Sequence, residues 1–139
     1  MKLKIFCDGG SRGNPGPAAC AVIIKDENNK IIFSKGFYLG VTTNNQAEYQ
    51  AVVEALHYLN DQIQKSKIQT VNFYLDSELV VKQLNGVYKI KDKNILQKVL
   101  EIKNLKLKIK NLSMMISHIP REQNYEADKI VNDTLDSIQ

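Results

Sequence analysis

The sequence predicts an α/β domain in which a five-stranded mixed sheet, three antiparallel strands plus two parallel ones, is flanked by helices on both faces. Three observations lead there. Three short runs rich in β-branched and aromatic residues follow one another closely at the start, and such short connections make an antiparallel meander. Beyond them the apolar spacing turns helical, and two more strand-like runs alternate with helices. Finally, 139 residues with 43% hydrophobic content suit a single domain over 1–139 with one continuous core.

In order, strands are expected near residues 2–8, 18–26 and 30–39, with turns at Gly9 to Pro17 and Asp26 to Lys30. A helix capped by Thr42 or Thr43 should run from Thr43 to about Gln64, followed by a strand at 70–75 and a short helix from Ser77 to Leu84. A longer helix opens near Asp92 and closes about Asn111. Within it Leu105, Leu107 and Ile109 alternate with lysines as a strand would, whereas Ile95, Leu96, Val99, Leu100 and Ile102 are spaced helically. Leu112 to His118 reads as the last strand, Ile119 to Asn124 as a loop and Tyr125 to Ile138 as the closing helix.

Cys7 and Cys20 fall in strands without motif spacing and are expected as buried free thiols. No apolar stretch approaches the roughly 20 residues of a membrane span, and Met1 to Phe6 runs straight into a strand without a leader. The expectation is a cytoplasmic monomer with no membrane or obligate protein partner.

Four carboxylates stand where a packed domain should not want them. Asp8 ends the run Leu3 to Cys7 and Asp76 ends Thr70 to Leu75, so both lie at strand ends. On neighbouring parallel strands, about 4.8 Å apart, such a pair raises one pKa unless a cation holds both ionised. Glu48 shares a helical stripe with Val52, Ala55 and Leu59, and Asp128 shares one with Val131 and Leu135. A lone buried carboxylate is ordinarily half of a salt bridge, but no Lys or Arg occupies matching inward positions beside these four. A buried ionised carboxylate costs several kcal/mol unless paired or bound to a cation. A metal is the economical explanation.

Charge is uneven along the chain. The net charge is +4, yet Lys82 to Lys110 holds nine lysines against Asp92 and Glu101. Tyr88 set among Lys89, Lys91 and Lys93 suits a nucleic-acid backbone, although a solvated helix face explains the later lysines equally well. Glycines in Gly9 to Pro17 let a ligand approach the backbone, and a plain hairpin connection would need them too.

The strings Cys7-Asp8-Gly9-Gly10-Ser11-Arg12-Gly13-Asn14-Pro15-Gly16-Pro17, Thr42-Thr43-Asn44-Asn45-Gln46-Ala47-Glu48, Leu75-Asp76-Ser77 and His118-Ile119-Pro120-Arg121-Glu122-Gln123-Asn124-Tyr125-Glu126-Ala127-Asp128 resemble the four signature segments of type 1 ribonucleases H, in order and across the whole chain. The resemblance implies the ribonuclease H-like fold and cleavage of the RNA strand of RNA–DNA hybrids, leaving 5′-phosphate and 3′-hydroxyl ends. It also implies two Mg²⁺ ions, with Mn²⁺ as the alternative, held by Asp8, Glu48, Asp76 and Asp128. By the same analogy Asp8 bridges both ions, Asp128 helps hold the one that activates water, and Glu48 and Asp76 hold the other. Glu48 also meets a ribose 2′-hydroxyl, the group that distinguishes RNA from DNA. His118, ten residues before Asp128, matches the family's mobile catalytic histidine, and imidazole suits proton transfer near neutral pH. His57 has no such match. Asn14, Asn44 and Asn45 resemble minor-groove contacts, and Gly9, Ser11, Arg12, Ser77 and Asn124 complete the expected substrate-binding set with Tyr88, Lys89 and Lys91.

The chain departs from the family in having no Trp, in carrying Glu78 where members often have Gln, and in a segment after Ser77 too short for a basic protrusion. That implies a compact form, without an amino-terminal hybrid-binding domain, in which Tyr88, Lys82, Lys89, Lys91 and Lys93 take over the grip. Another nuclease of the same fold acting on DNA, or a binding module without catalysis, are the alternatives. Cleavage of a hybrid beside duplex DNA separates the first, and metal-dependent turnover the second.

Overall fold

The computed structural model describes residues 1–62 and 67–138. Its elements are β1 (Lys2–Ser11), β2 (Gly16–Lys25), β3 (Ile31–Thr42), α1 (Asn44–Gln62), β4 (Thr70–Leu75), α2 (Glu78–Leu84), α3 (Lys93–Lys108), β5 (Ser113–His118), a 3₁₀ turn (Arg121–Asn124) and α4 (Tyr125–Asp136). The sheet order is β3-β2-β1-β4-β5. β1 pairs antiparallel with β2 and parallel with β4, and β5 is parallel to β4. The expected mixed sheet is therefore the one that forms, with β1 at its centre where the two kinds of pairing meet.

Two expectations are corrected. The turn expected over Gly9 to Pro17 narrows to Arg12 to Pro15, because Gly9, Gly10 and Ser11 pair with Cys20, Ala19 and Ala18 across the hairpin. Their glycines read locally as a turn, and the ladder overrides that preference. The 119–124 loop also winds into a 3₁₀ turn. In α3 the helical reading of 104–108 holds, because Ile95, Val99, Ile102, Leu105 and Ile109 form one buried stripe while Leu107 is 68% exposed. The strand-like alternation there comes from lysines occupying the solvent side of a helix. Ser77 and Asp92 cap α2 and α3 with their side chains. The expected end of α1 near Gln64 lies outside the described residues.

Helices cover both faces, unequally. Leu3, Ile5 and Cys7 of β1 and Cys20, Val22 and Ile24 of β2 pack with α1, α2 and α3 in the larger core. On the other face Ala19, Ala21 and Ile23 meet Ala127, Val131 and Leu135 of α4. β2 is thus buried on both sides, and each large side chain such as Ile23 or Phe73 contributes about 1.5–3 kcal/mol by leaving water. Gly36 sets how closely α4 approaches, since a methyl group there would overlap Thr134 Oγ1 and stand 2.9 Å from Ile130 Cγ2. Both cysteines are free and buried, as expected. Burial pushes the Cys20 thiol up to about 12 and raises that of Cys7 well above its ordinary value, so neither is a ready nucleophile. Among the described residues no helix is long and apolar enough to cross a membrane.

Candidate active site

Parallel pairing of β1 with β4 ends at Cys7 opposite Leu75, so the next residues, Asp8 and Asp76, leave that ladder side by side. Asp8 is not at the end of its strand, since β1 continues to Ser11 against β2. It sits where the parallel neighbour stops and a cleft opens. α1 reaches the same place because Gly9 has no side chain: a Cβ there would overlap the Ala47 carbonyl and lie 2.5 Å from the Glu48 nitrogen. Glu48 is carried in on that helix, and Asp128 arrives on the first turn of α4. The four carboxylates come from four elements and line one cleft of about 480 Å³ with Ser11, Arg12, Asn44, Ser77, Arg121 and Asn132.

The electrostatics of this cleft are unfavourable for a protein by itself. Burial, followed by the charges of Asp76, Glu48 and Asp128, pushes the Asp8 carboxyl up to about 8, although the Gly9 amide donates to it. Glu48 is pushed up to about 7, first by burial and then by Asp76, with a Ser77 hydrogen bond and the Arg121 charge pulling the other way. Contrary to the sequence expectation, a cation does stand beside one of the four carboxylates: Arg121 Nη2 is 3.8 Å from Asp128 Oδ1. At 82% exposure its guanidinium offsets little of the buried repulsion. All-oxygen, carboxylate-rich donor sets suit hard divalent cations such as Mg²⁺. Among the described residues no three acidic, His or Cys side chains already converge into a closed coordination set. The fit therefore lies in donor chemistry and shared location.

The expected substrate-binding residues divide into groups. Ser11 donates from its backbone N (2.7 Å) and Oγ (3.1 Å) to Asn44 Oδ1, while Asn44 N donates to Asn14 Oδ1 at 3.0 Å. Both asparagine oxygens are thereby engaged, which turns the amide –NH₂ groups away as donors. Asn14 and Asn45 line a second cleft of about 300 Å³ with Thr43, Gln83, Ile90 and Asp92. Exposed Lys89 and Lys91 flank Ile90. Tyr88 is 45% exposed, with Lys82 Nζ 5.1 Å from its ring centre and 3.2 Å from its hydroxyl. Lys82 also pairs with Glu78 at 2.5 Å, so its charge is partly spent within α2. Arg12 pairs with Asp136 at 2.6 Å, pinning the first hairpin to α4.

Asn124 requires a correction. Only 1% exposed, it donates to Cys7 O at 2.8 Å and to Asp76 Oδ2 at 3.1 Å, so it cannot meet substrate directly. Gly9 lines the cleft, but α1 takes the space its missing side chain leaves. His118 is exposed at the end of β5, paired with Leu75 in register, on the carboxylate edge of the sheet but outside the cleft lining. Sequence reasoning gave Arg121 and Asn132 no place in the cleft. Arg121 lay within the quoted fourth segment, and Asn132, four residues after Asp128, falls on the same helical face.

Residues 6–134 match the family model described as "Reverse transcriptase-like". Ribonuclease HI of Halobacterium salinarum is 35% identical over 135 residues, 97% of this chain and 65% of that protein. A bifunctional protein of Mycobacterium tuberculosis is 33% identical over 99% of this chain and 36% of its own length. The chain thus spans about two thirds of one curated relative and about a third of the other. LC11-RNase H1, isolated from compost by a metagenomic approach, has been solved in complex with an RNA/DNA hybrid. That structure superposes with a TM-score of 0.90 at 40% identity, covering 98% of both chains.

Proposed function

Starting from the chain's membership of the type 1 ribonuclease H family, we propose that it hydrolyses the RNA strand of RNA–DNA hybrids with divalent metal ions at the Asp8, Glu48, Asp76 and Asp128 cleft. The observation that carries this reading is the convergence of four carboxylates from four elements, with burial and mutual repulsion driving Asp8 to about 8. Such a cluster is costly unless a cation neutralises it. Two Mg²⁺ ions held by these residues would neutralise charge at phosphorus and activate water for in-line displacement, giving 5′-phosphate and 3′-hydroxyl ends.

The chain's own groups supply the rest. Asp8, central in the cluster, would help hold both ions, Asp128 would help hold the one that supplies the attacking water, and Glu48 and Asp76 would help hold the one that supports the leaving oxygen. Glu48 also accepts from a ribose 2′-hydroxyl, which selects RNA. Amide donors on Asn14 and Asn44 face minor-groove acceptors that every base pair presents, so recognition is independent of sequence. His118 moves a proton to the leaving oxygen or eases product away.

Incubating end-labelled hybrid, duplex DNA and duplex RNA with and without Mg²⁺ tests the reading. Metal-dependent cutting of the hybrid's RNA strand, with ligatable 5′-phosphate ends, is expected. Equal cutting of duplex DNA, or no cutting of hybrid, overturns it.

A further inference from the structure

Asn124 is a buried polar residue with an incomplete set of partners. Its amide nitrogen donates to both Cys7 O and Asp76 Oδ2, whereas its Oδ1 is buried with no hydrogen-bond partner. The reverse amide orientation would press that oxygen against two others, so the partners fix which atom is the donor. An unsatisfied buried acceptor costs roughly 1–3 kcal/mol, and the side chain makes no capping hydrogen bond to α4. Stability and capping therefore leave this residue unexplained. What its two donors join is specific: the carbonyl immediately before Asp8, the carboxylate of Asp76, and, through its own backbone, the start of the helix that carries Asp128.

We propose that Asn124 is a positioning residue for the metal-binding carboxylates, holding the Asp8-bearing and Asp76-bearing strands in register with α4 and fixing one oxygen of Asp76 so that the other is aimed. The assignment rests on the metal-dependent reading of the cleft. Groups that orient ligands from behind typically change metal affinity by about 10- to 100-fold when removed. Asn124 reaches one such ligand, Asp76, directly and the carbonyl that precedes a second, Asp8.

The test compares wild type, Asn124→Ala and the isosteric Asn124→Asp. Mn²⁺ binding to the substrate-free protein is measured by calorimetry, and kcat and KM for hybrid are measured across a Mg²⁺ series. Asn124→Ala removes the orphaned oxygen along with the donors, so it should stay folded. Its Mn²⁺ affinity should fall about 10- to 100-fold, with KM for hybrid unchanged and kcat recovering as Mg²⁺ is raised. Asn124→Asp keeps the volume, loses the donors and adds a negative charge that by itself would favour a cation, so Mn²⁺ binding weaker than that of wild type reports lost positioning. It decides the matter alone if the alanine variant does not fold. Wild-type protein that binds Mn²⁺ while the folded variants match it overturns the assignment. Wild-type protein that binds no Mn²⁺ overturns the reading of the cleft, and this assignment with it.

Discussion

Gly9 lies so close to the peptide joining Ala47 to Glu48 that a methyl group on it would stand 2.5 Å from the Glu48 nitrogen. The second strand residue after Cys7 thus sets how near α1 can bring a carboxylate to Asp8. Gly9→Ala should push the start of α1 outward. A loss of about 1–3 kcal/mol of stability is expected from overpacking, with hybrid cleavage falling far more than the folded fraction. Thermal unfolding and turnover measured on the same sample check this. A variant that keeps full specific activity would show that Glu48 does not depend on this contact.

Asp8→Asn should abolish cleavage and, without divalent cations, stabilise the protein at alkaline pH. Asp8 titrates near 8 in the fold against 3.8 as a free group, and Glu48 near 7 against 4.5, both raised first by burial. Between about pH 4 and 8 the folded chain therefore binds more protons than the unfolded one, so stability falls as pH rises through that window. For Asp8 the effect is on the order of a few kcal/mol, and the asparagine variant should lose most of it. Chemical denaturation in chelator at pH 5 and pH 8.5 reads the difference. Equal pH dependence in the two proteins would mean that burial and the neighbouring charges do not raise Asp8 in the fold.

How far the sequence anticipated this site depends on the range of the signal. Glu48 and Asp128 were legible because helical spacing against Val52 and Val131 is a local pattern, and those neighbours are 1% and 3% exposed. Leu75 before Asp76 likewise marked a strand end correctly. The extension of β1 through Gly9 to Ser11 was not legible, since glycines carry a turn signal and only pairing with Ala18 to Cys20 makes them strand. Asn124 was misread for a related reason. Its role depends on Cys7, 117 residues away, and nothing in its immediate neighbours reports that contact.

His118→Ala should slow turnover about 10- to 100-fold as a proton-transfer group is lost. KM for hybrid should be little changed, because His118 stands outside the carboxylate cleft. A pH–rate profile at saturating substrate is the measurement. Superimposable profiles for wild type and variant would leave His118 as an exposed strand-end residue without a catalytic part.

Lys89, Lys91 and Lys93 stand exposed beside the cleft lined by Asn14 and Asn45. Each phosphate contact releases condensed counterions, so neutralising all three should weaken hybrid binding and flatten its salt dependence by roughly 0.7 to 0.9 per lost contact. The chemical step at saturation should survive. Tyr88→Ala should also weaken binding, but with little change in slope, because stacking or packing on a sugar releases no ions. Lys82, held between Glu78 and the Tyr88 hydroxyl, contributes less than its charge suggests. Binding titrations over a series of salt concentrations separate these cases. A slope untouched by the triple change would make the segment a solvated face and move the grip to Arg12, Arg121 and Lys35, the last on β3 with its Nζ 5.0 Å from the Phe37 ring centre.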